Sequence, residues 1–191
     1  MAAATKGRQI VWMDMEMTGL EYKRDRVLQI AMLITDLNLN IISREFLVTI
    51  HQDKEVLDKM NDWCKENLKE IAEESLKSKI TEADAEKMMI DFFNDNKILP
   101  KNNPLAGNTI YMDRLFLREY FPKVNDHLHY RLIDVSTIKE LCSRWNKPVY
   151  QRAPEKKNAH HALSDIKNSI EELKYYKEGF LKIATDEENK E

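Results

Sequence analysis

This chain of 191 residues has few cysteines, no long apolar run and no recognisable targeting segment at its start, and each of these features narrows the classes of protein to which it could belong. Only Cys64 and Cys142 occur, far apart and in no CxxC pair. This argues against a disulfide framework or a cysteine-based zinc site and favours a reducing compartment. No apolar run is long enough to span a membrane. Residues 1–8 have neither the apolar core of a secretory signal nor the length of a transit peptide. We therefore expect a cytoplasmic protein that makes no membrane contact.

A surplus of basic residues is also missing, because the formal net charge is -3. A protein that grips long nucleic acid through many phosphates normally carries a basic surplus or a basic face. The charge therefore disfavours extended, nonspecific nucleic-acid binding. A short anionic substrate, held by a few local cations and by metal ions, remains compatible with it. The apolar share of 42% and the charged share of 33% are ordinary for a globular protein, and the length fits one domain.

The first third of the chain predicts a sheet. Three segments are strand-like, namely Gln9 to Met17, Val27 to Thr35 and Ile41 to Ile50. Their connections are short and prone to turns, so an antiparallel meander is the simplest arrangement. Residues 55–96 then change to apolar side chains at helical spacing, with Thr81 as the predicted N-cap of one helix.

The rest of the chain alternates strands with helices. The predicted elements are a strand at 105–108, a helix at 113–121, a strand at 130–135, a helix at 137–145 capped by Ser136, a long loop at 146–158 and a closing helix at 159–176. A meander followed by this alternation predicts an α/β fold with a mixed sheet flanked by helices.

Asp14 and Glu16 lie two positions apart on the first predicted strand, so alternation points both side chains to one face. Two carboxylates on one face repel each other unless a positive charge lies between them, and a divalent cation is the natural partner. The alternative is the solvent-facing polar side of an edge strand. The neighbouring residues are nearly all apolar, which makes an acidic pair harder to dismiss.

Three later residues are also candidates for this chemistry. Asp113 opens a predicted helix, where capping alone could explain an aspartate. His160 and Asp165 are five positions apart, which on one continuous helix places them ~140° apart around the axis. They could share a cleft if His160 belongs to the preceding loop. Asp165 stands beside the apolar stripe, so we expect it to be partly buried, with a structural salt bridge as the alternative role.

The histidines and several aromatic residues each have an alternative role. The histidines at 127, 129, 160 and 161 have no HExxH or i, i+4 spacing, which argues against a zinc site. Trp63 stands near a helix start, where core packing competes with base stacking. Tyr130 and Arg131 could be simple surface residues or the stacking and phosphate-binding groups of a nucleotide site.

Four segments in order resemble the oligoribonuclease branch of the DEDDh exonucleases. They are WMDMEMTGL at 12–20, AGNTIYMDRLFL at 106–117, HYRLIDVST at 129–137 and HHALSD at 160–165. The resemblance is close to full length, and its motifs are long and correctly ordered, although the intervening helices match less well.

This resemblance implies a ribonuclease H-like mixed sheet, with an antiparallel meander plus parallel strands, and a homodimer. It implies trimming of short oligoribonucleotides, down to dinucleotides, to nucleoside 5′-monophosphates. Two divalent cations, Mg²⁺ or Mn²⁺, would be the cofactors. Residues 8–182 would form a single exonuclease domain with flexible ends at 1–7 and 183–191. A mitochondrial location is also compatible with the family.

The resemblance also assigns roles to individual residues of this chain. The metal ligands would be Asp14, Glu16, Asp113 and Asp165, and His160 would be the general base. The substrate-binding residues would be Leu20 and Trp63 as walls around the bases, Thr109, Arg131 and Ser136 near the phosphate end, and Tyr130 reaching the neighbouring subunit's site.

The chain departs from the family pattern at three places. Thr109 replaces a usual Ser, and Ser164 replaces the first of two acidic residues before the metal ligand. The segment from Lys65 to Ile71 lacks a usual glycine turn, which leaves the preferred substrate length open. Two rival functions remain open. One is an exonuclease for longer RNA or DNA ends; the other, which the altered segment suggests, is a nucleotide-binding protein that has lost catalysis.

Overall fold

The computed structural model describes residues 9–154 and 161–181. Its strands are β1 (Gln9–Met17), β2 (Val27–Asp36), β3 (Phe46–Thr49), β4 (Leu105–Gly107) and β5 (Leu132–Asp134). Its helices are α1 (Lys54–Leu57), α2 (Asp62–Asn67), α3 (Lys69–Lys77), α4 (Glu82–Asp95), α5 (Tyr111–Tyr120), α6 (Pro122–His127), α7 (Val135–Trp145), α8 (Lys147–Gln151) and α9 (Ala162–Gly179).

The five strands form one mixed sheet in the order β3-β2-β1-β4-β5. The first three strands pair antiparallel, as the predicted meander requires. β4 pairs parallel with β1, and β5 pairs parallel with β4. The predicted α/β class, with a ribonuclease H-like mixed sheet flanked by helices, is confirmed.

Each face of the sheet packs against its own helices. Met13 and Met15 of β1 point into the larger core, which α4 and α5 cover. Ile10 and Trp12 point to the opposite face, where they pack with Ile166 of α9. Side chains alternate between the faces of a strand, so Asp14 and Glu16 continue the face that α9 covers.

Several predicted boundaries were wrong for local reasons. The third strand spans only four residues, because the chain between Ile41 and Phe46 makes one isolated bridge, from Ile41 to Thr35, in place of a continuous ladder. The predicted loop at 146–158 contains α8, in which Pro148 occupies the first turn, where a missing N–H is tolerated. The closing helix begins at Ala162 and extends to Gly179.

Of three predicted helix starts, the structure confirms one and corrects two. Thr81 caps α4 in a complete capping box with Asp84, as predicted. The cap of α7 is Asp134 and not Ser136, since the Asp134 side chain accepts a hydrogen bond from the Ser136 N–H. α5 begins at Tyr111, so Asp113 lies inside the first turn and does not cap it.

Among the described helices, none combines the length and the apolar character that a membrane-spanning segment needs.

Candidate active site

Three carboxylates meet where β1 approaches α9. One carboxylate oxygen from each of Asp14, Glu16 and Asp165 lies within 4.8 Å of the other two, and all three residues are half-buried. The first two come from one face of β1, as alternation predicted, and the third comes from the first turn of α9. The structure thus brings together residues from near opposite ends of the described chain.

Asp113 reaches the same region from α5. It is buried at 5% exposure, and its Oδ1 has no hydrogen-bond partner among the residues that the structure describes. Burial raises the pKa of the Asp113 carboxyl above its usual range, and the negative charges of Glu16 and Asp134 act in the same direction. Hydrogen bonds from backbone amides, including that of Met15, oppose this rise. Asp113 is therefore close enough to Glu16 for their charges to interact.

The surroundings of Glu16 disfavour its negative charge. Burial, and secondarily the negative charge of Asp165, raises the pKa of Glu16 from 4.5 to about 7. A raised carboxyl pKa means that the environment disfavours the charged form. The cluster is therefore poised to exchange protons for metal ions near neutral pH.

The donor set suits a hard divalent cation. Carboxylate oxygens are the ligands that Mg²⁺ and Mn²⁺ prefer. The unpartnered Oδ1 of Asp113 is the kind of buried group that needs a further partner, and a cation would supply it. Among the described residues, this is the one group of three or more potential ligands close enough to share a metal, and it contains no histidine.

A cleft of ≈ 440 Å³ opens on one side of the carboxylates. Its lining includes Glu16, Leu20 and Trp63. Asn61 caps α2 by accepting a hydrogen bond from the Cys64 N–H, which places Trp63 in the first turn of that helix. Trp63 is 54% exposed and Leu20 is 65% exposed, so neither is a core residue. These two side chains offer apolar and aromatic surface beside the acidic group.

The segment after Trp63, which departs from the family pattern, still closes this cleft. It forms the end of α2 and the start of α3. Leu68, at the junction between the two helices, is buried against Leu28 and also lines the cleft. A wall is therefore present without the usual glycine turn.

A second cleft of ≈ 380 Å³ is lined by Thr109, Ser136 and Asp134 among others. The Thr109 N–H donates to Asp134 Oδ1 and to Ser136 Oγ, both at 3.0 Å. The Thr109 and Ser136 hydroxyl oxygens are 3.2 Å apart. Two hydroxyls thus lie side by side at one opening.

Close packing at the end of β4 sets the position of Thr109. A Cβ on Gly107 would lie 2.8 Å from the Met13 carbonyl oxygen, so only glycine lets β4 approach β1 here. The chain then turns through Thr109, whose φ of 53° is in the left-handed region. This conformation is unfavourable for a β-branched residue, and it persists because Asp134 and Ser136 hold the Thr109 backbone.

Three predicted site residues remain, namely Tyr130, Arg131 and His160. Tyr130 is 74% exposed, and the Arg131 Nε donates to its hydroxyl at 3.2 Å. His160 lies outside the described residues. The neighbouring His161, which precedes α9, is exposed and lines a separate cleft beside α3.

Sequence reasoning missed two residues that build the site. Asp134 organises Thr109 and Ser136, and Asn108 links them to α9. The Ser136 hydroxyl donates to Asn108 Oδ1, and the Asn108 amide donates to Ser169 Oγ at 2.6 Å. The acidic residue before a helix start was an available signal for Asp134. The contacts of Asn108 join distant segments and leave no local signal.

Solved structures of low sequence identity share the fold. The exonuclease I of Methylocaldum szegediense superposes with a TM-score of 0.70 at 18% identity, over 90% of this chain and 41% of that one. A zinc-bound complex of E. coli exonuclease I with single-stranded DNA gives 0.72 at 17% identity, over 90% and 41%. This chain thus spans about two fifths of the length of those enzymes.

Sequence comparisons are more specific. The RNase_T family model, described as "Exonuclease", matches residues 11–173. Oligoribonuclease from Haemophilus influenzae strain Rd is 44% identical over 92% of this chain and 97% of its own length. The mitochondrial oligoribonuclease of Bos taurus is 41% identical over 99% of this chain and 80% of its own length. Because these matches cover most of both sequences, the chain belongs to the oligoribonuclease family of exonucleases.

Proposed function

We propose that this chain is a 3′-to-5′ exoribonuclease that hydrolyses very short oligoribonucleotides, down to dinucleotides, to nucleoside 5′-monophosphates. The observation that carries the proposal is the carboxylate cluster of Asp14, Glu16 and Asp165, in which one oxygen from each residue lies within 4.8 Å of the other two, in a chain that matches oligoribonucleases nearly end to end. Clustered carboxylates beside a cleft that Glu16 helps to line suit hydrolysis of a phosphodiester better than simple nucleotide binding.

Asp14, Glu16, Asp113 and Asp165 would hold two divalent cations, Mg²⁺ or Mn²⁺. Bound there, the cations would stabilise negative charge on the transition state and on the departing 3′ oxygen. The raised pKa of Glu16 and the buried, unpartnered Oδ1 of Asp113 support this assignment, because both are relieved by a nearby positive charge. The four carboxylates would keep the anionic substrate away until the cations are in place.

His160 would act as the general base. A histidine with an ordinary pKa of ~6.5 can accept a proton from the attacking water near neutral pH. It directly precedes His161, the residue before α9, and α9 carries Asp165.

The two clefts would divide the substrate between them. Leu20 and Trp63 would pack against the bases, and the hydroxyls of Thr109 and Ser136 would receive a phosphate. Arg131, which is exposed, would add a positive charge at the phosphate end.

A comparison of substrates tests the function. Purified protein is incubated with Mg²⁺ and labelled RNA dinucleotides, longer RNA or single-stranded DNA, and the products are resolved. We expect preferential cleavage of dinucleotides to 5′-monophosphates. Equal or faster loss of the long substrates would replace the proposal with a broader exonuclease. Binding without cleavage would support the inactive nucleotide-binding protein.

We also propose a homodimer in which Tyr130 enters the neighbouring subunit's site. Its ring is 74% exposed and stacks on His129, so it is available for such a contact. Light scattering would give the mass in solution. Activity should return when Tyr130→Ala and Asp14→Ala subunits are co-expressed, because one site of each mixed dimer then has both groups. No gain on mixing would rule out a contribution in trans.

The cytoplasm is the proposed compartment. Two buried free cysteines, Cys64 and Cys142, suit a reducing environment. A fluorescent fusion of the full chain would test this, with co-localisation to mitochondria as the opposing result.

A further inference from the structure

The loop between β1 and β2 carries Leu20, the exposed apolar wall of the first cleft. Two hydrogen bonds close the neck of this loop: the Thr18 N–H donates to the Arg26 carbonyl oxygen, and the Arg26 N–H donates to the Thr18 hydroxyl, both at 2.9 Å. Leu20 itself is 65% exposed and has little packing to fix it. Its position therefore depends on what holds the backbone on either side of it.

Asp25 fills the inside of this loop. It is 8% exposed, which is unusual for an aspartate outside the acidic cluster. Its Oδ2 accepts a hydrogen bond from the Glu21 N–H at 2.9 Å. The same oxygen would lie 2.2 Å from a Cβ on Gly19. The carboxylate thus touches the backbone of both residues that flank Leu20 in sequence.

The ion pair of this carboxylate does not explain its burial. Arg24 Nε is 3.4 Å from Asp25 Oδ1, and the Arg24 side chain is largely exposed. Because the Arg24 side chain stays in solvent and the contact is long, this pair contributes little to stability. The shorter bond to the Glu21 N–H ties the carboxylate to the loop, and it adds to the backbone bonds that the Arg24 and Asp25 N–H groups donate to the Glu21 carbonyl oxygen, both at 2.8 Å.

The backbone of Asp25 is in turn tied to α5. The Tyr120 hydroxyl donates to the Asp25 carbonyl oxygen at 2.8 Å. The Arg26 guanidinium lies 4.7 Å from the centre of the Tyr120 ring and pairs with Glu82. α5 also carries Asp113, so the loop and one of the carboxylates share a support.

We infer that Asp25 is a positioning residue: its buried carboxylate fixes Leu20 against the first cleft and so sets how tightly the terminal bases are held. The inference rests on the proposed function for the role of Leu20, although the loop geometry does not. Asp25 touches neither substrate nor the reacting groups in this account, and it acts through Leu20. Its removal should therefore weaken substrate binding only as long as Leu20 is present.

A double-mutant cycle tests this dependence. Asp25→Ala, Leu20→Ala and the double variant are assayed with an RNA dinucleotide and Mg²⁺. We expect Asp25→Ala to raise KM about tenfold with a smaller change in kcat, and to add less than about twofold in the Leu20→Ala background. Asp25→Asn, which keeps an acceptor oxygen for the Glu21 N–H, should restore most of the binding. Metal affinity should be unchanged in each.

Asp36→Ala is the matched control. Asp36 also accepts hydrogen bonds from backbone N–H groups in a turn, those of Asn38 and Asn40, but it stands at the far end of β2. It should leave KM for the dinucleotide unchanged. Equal KM effects of Asp25→Ala with and without the Leu20 side chain would overturn the inference, since they would indicate general structural damage.

Hydrogen exchange separates this inference from the proposed function. Asp25→Ala should speed amide exchange in residues 18–22 relative to wild type, whatever the substrate. Unchanged exchange would overturn the inference even if dinucleotides are cleaved. Absence of all cleavage by the wild type, with faster exchange in the variant, would remove the proposed function and leave the loop role in place.

Discussion

The acidic cluster should destabilise the protein when metal is removed, and Glu16→Gln should relieve this. The pKa of Glu16 rises from 4.5 in an ordinary setting to about 7 in the fold. A raised pKa gives stability that is fully present below pH 4.5 and is lost as the pH rises through 7. Each pKa unit corresponds to about 1.4 kcal/mol. Because Glu16 remains partly exposed, we allow for solvent screening and expect about 2–3 kcal/mol of lost stability above pH 8.

Thermal unfolding in a chelator measures this loss. In a chain of this size about 1 kcal/mol moves the midpoint by ~2–4 °C, so Glu16→Gln should unfold ~4–12 °C above wild type at pH 8.5. Near pH 4.5 and below, where the wild-type side chain is also neutral, the two midpoints should converge. Glu178→Gln is the control, because it removes an exposed carboxylate of α9 away from the cluster.

Mg²⁺ should reverse the order. A ligand that binds only the folded state raises its stability by mass action, so the cation should stabilise wild type and have a weaker effect on Glu16→Gln. Two results would contradict this reasoning: Glu16→Gln is no more stable than wild type in chelator at pH 8.5, or Mg²⁺ raises both midpoints equally. Either result would mean that the negative charge of Glu16 does not destabilise the folded protein, and the metal assignment would lose its main physical support.

Three further outcomes are expected. Asp14→Ala or Asp165→Ala should abolish Mg²⁺-dependent cleavage, whereas His160→Ala should slow it by about 10²–10⁴-fold and leave metal binding intact in calorimetry; wild-type turnover in either carboxylate variant would contradict the site. Thr109→Ser should keep dinucleotide cleavage and raise stability by up to about 1 kcal/mol, because it removes a β-branched residue from a left-handed conformation; a lower midpoint would show that the methyl group packs favourably. Asp134→Ala should cost about 1–2 kcal/mol through the lost helix cap and should raise KM for the dinucleotide; an unchanged KM would separate the cap from the phosphate end.

The strand and helix framework was predictable where the pattern is local. Alternation on β1 correctly placed Asp14 and Glu16 on one face, and the capping box of Thr81 marked a helix start. The third strand was overextended because β-branched residues also suit the irregular chain before Phe46. The prolines at 148 and 154 favour a loop over α8, but Pro148 stands in the first turn of that helix, where proline is tolerated.

The site was predictable only in part. The face shared by Asp14 and Glu16 follows from local alternation, but their approach to Asp165 depends on α9 packing across the sheet. The backbone carbonyl of Asp25 and the side-chain amide of Asn108 make contacts between distant segments, which no short window of sequence contains. Long motifs in a fixed order supplied what spacing alone could not.

The parallel pairing of β4 with β1 and the late position of α9 have a consequence for synthesis. β1 forms its antiparallel ladder with β2 from residues that are synthesised early. Asp165 is the last of the four carboxylates to leave the ribosome. Domains fold as units once enough chain has emerged. A nascent chain therefore carries only an incomplete set of ligands, and cleavage would begin only after its final helix docks.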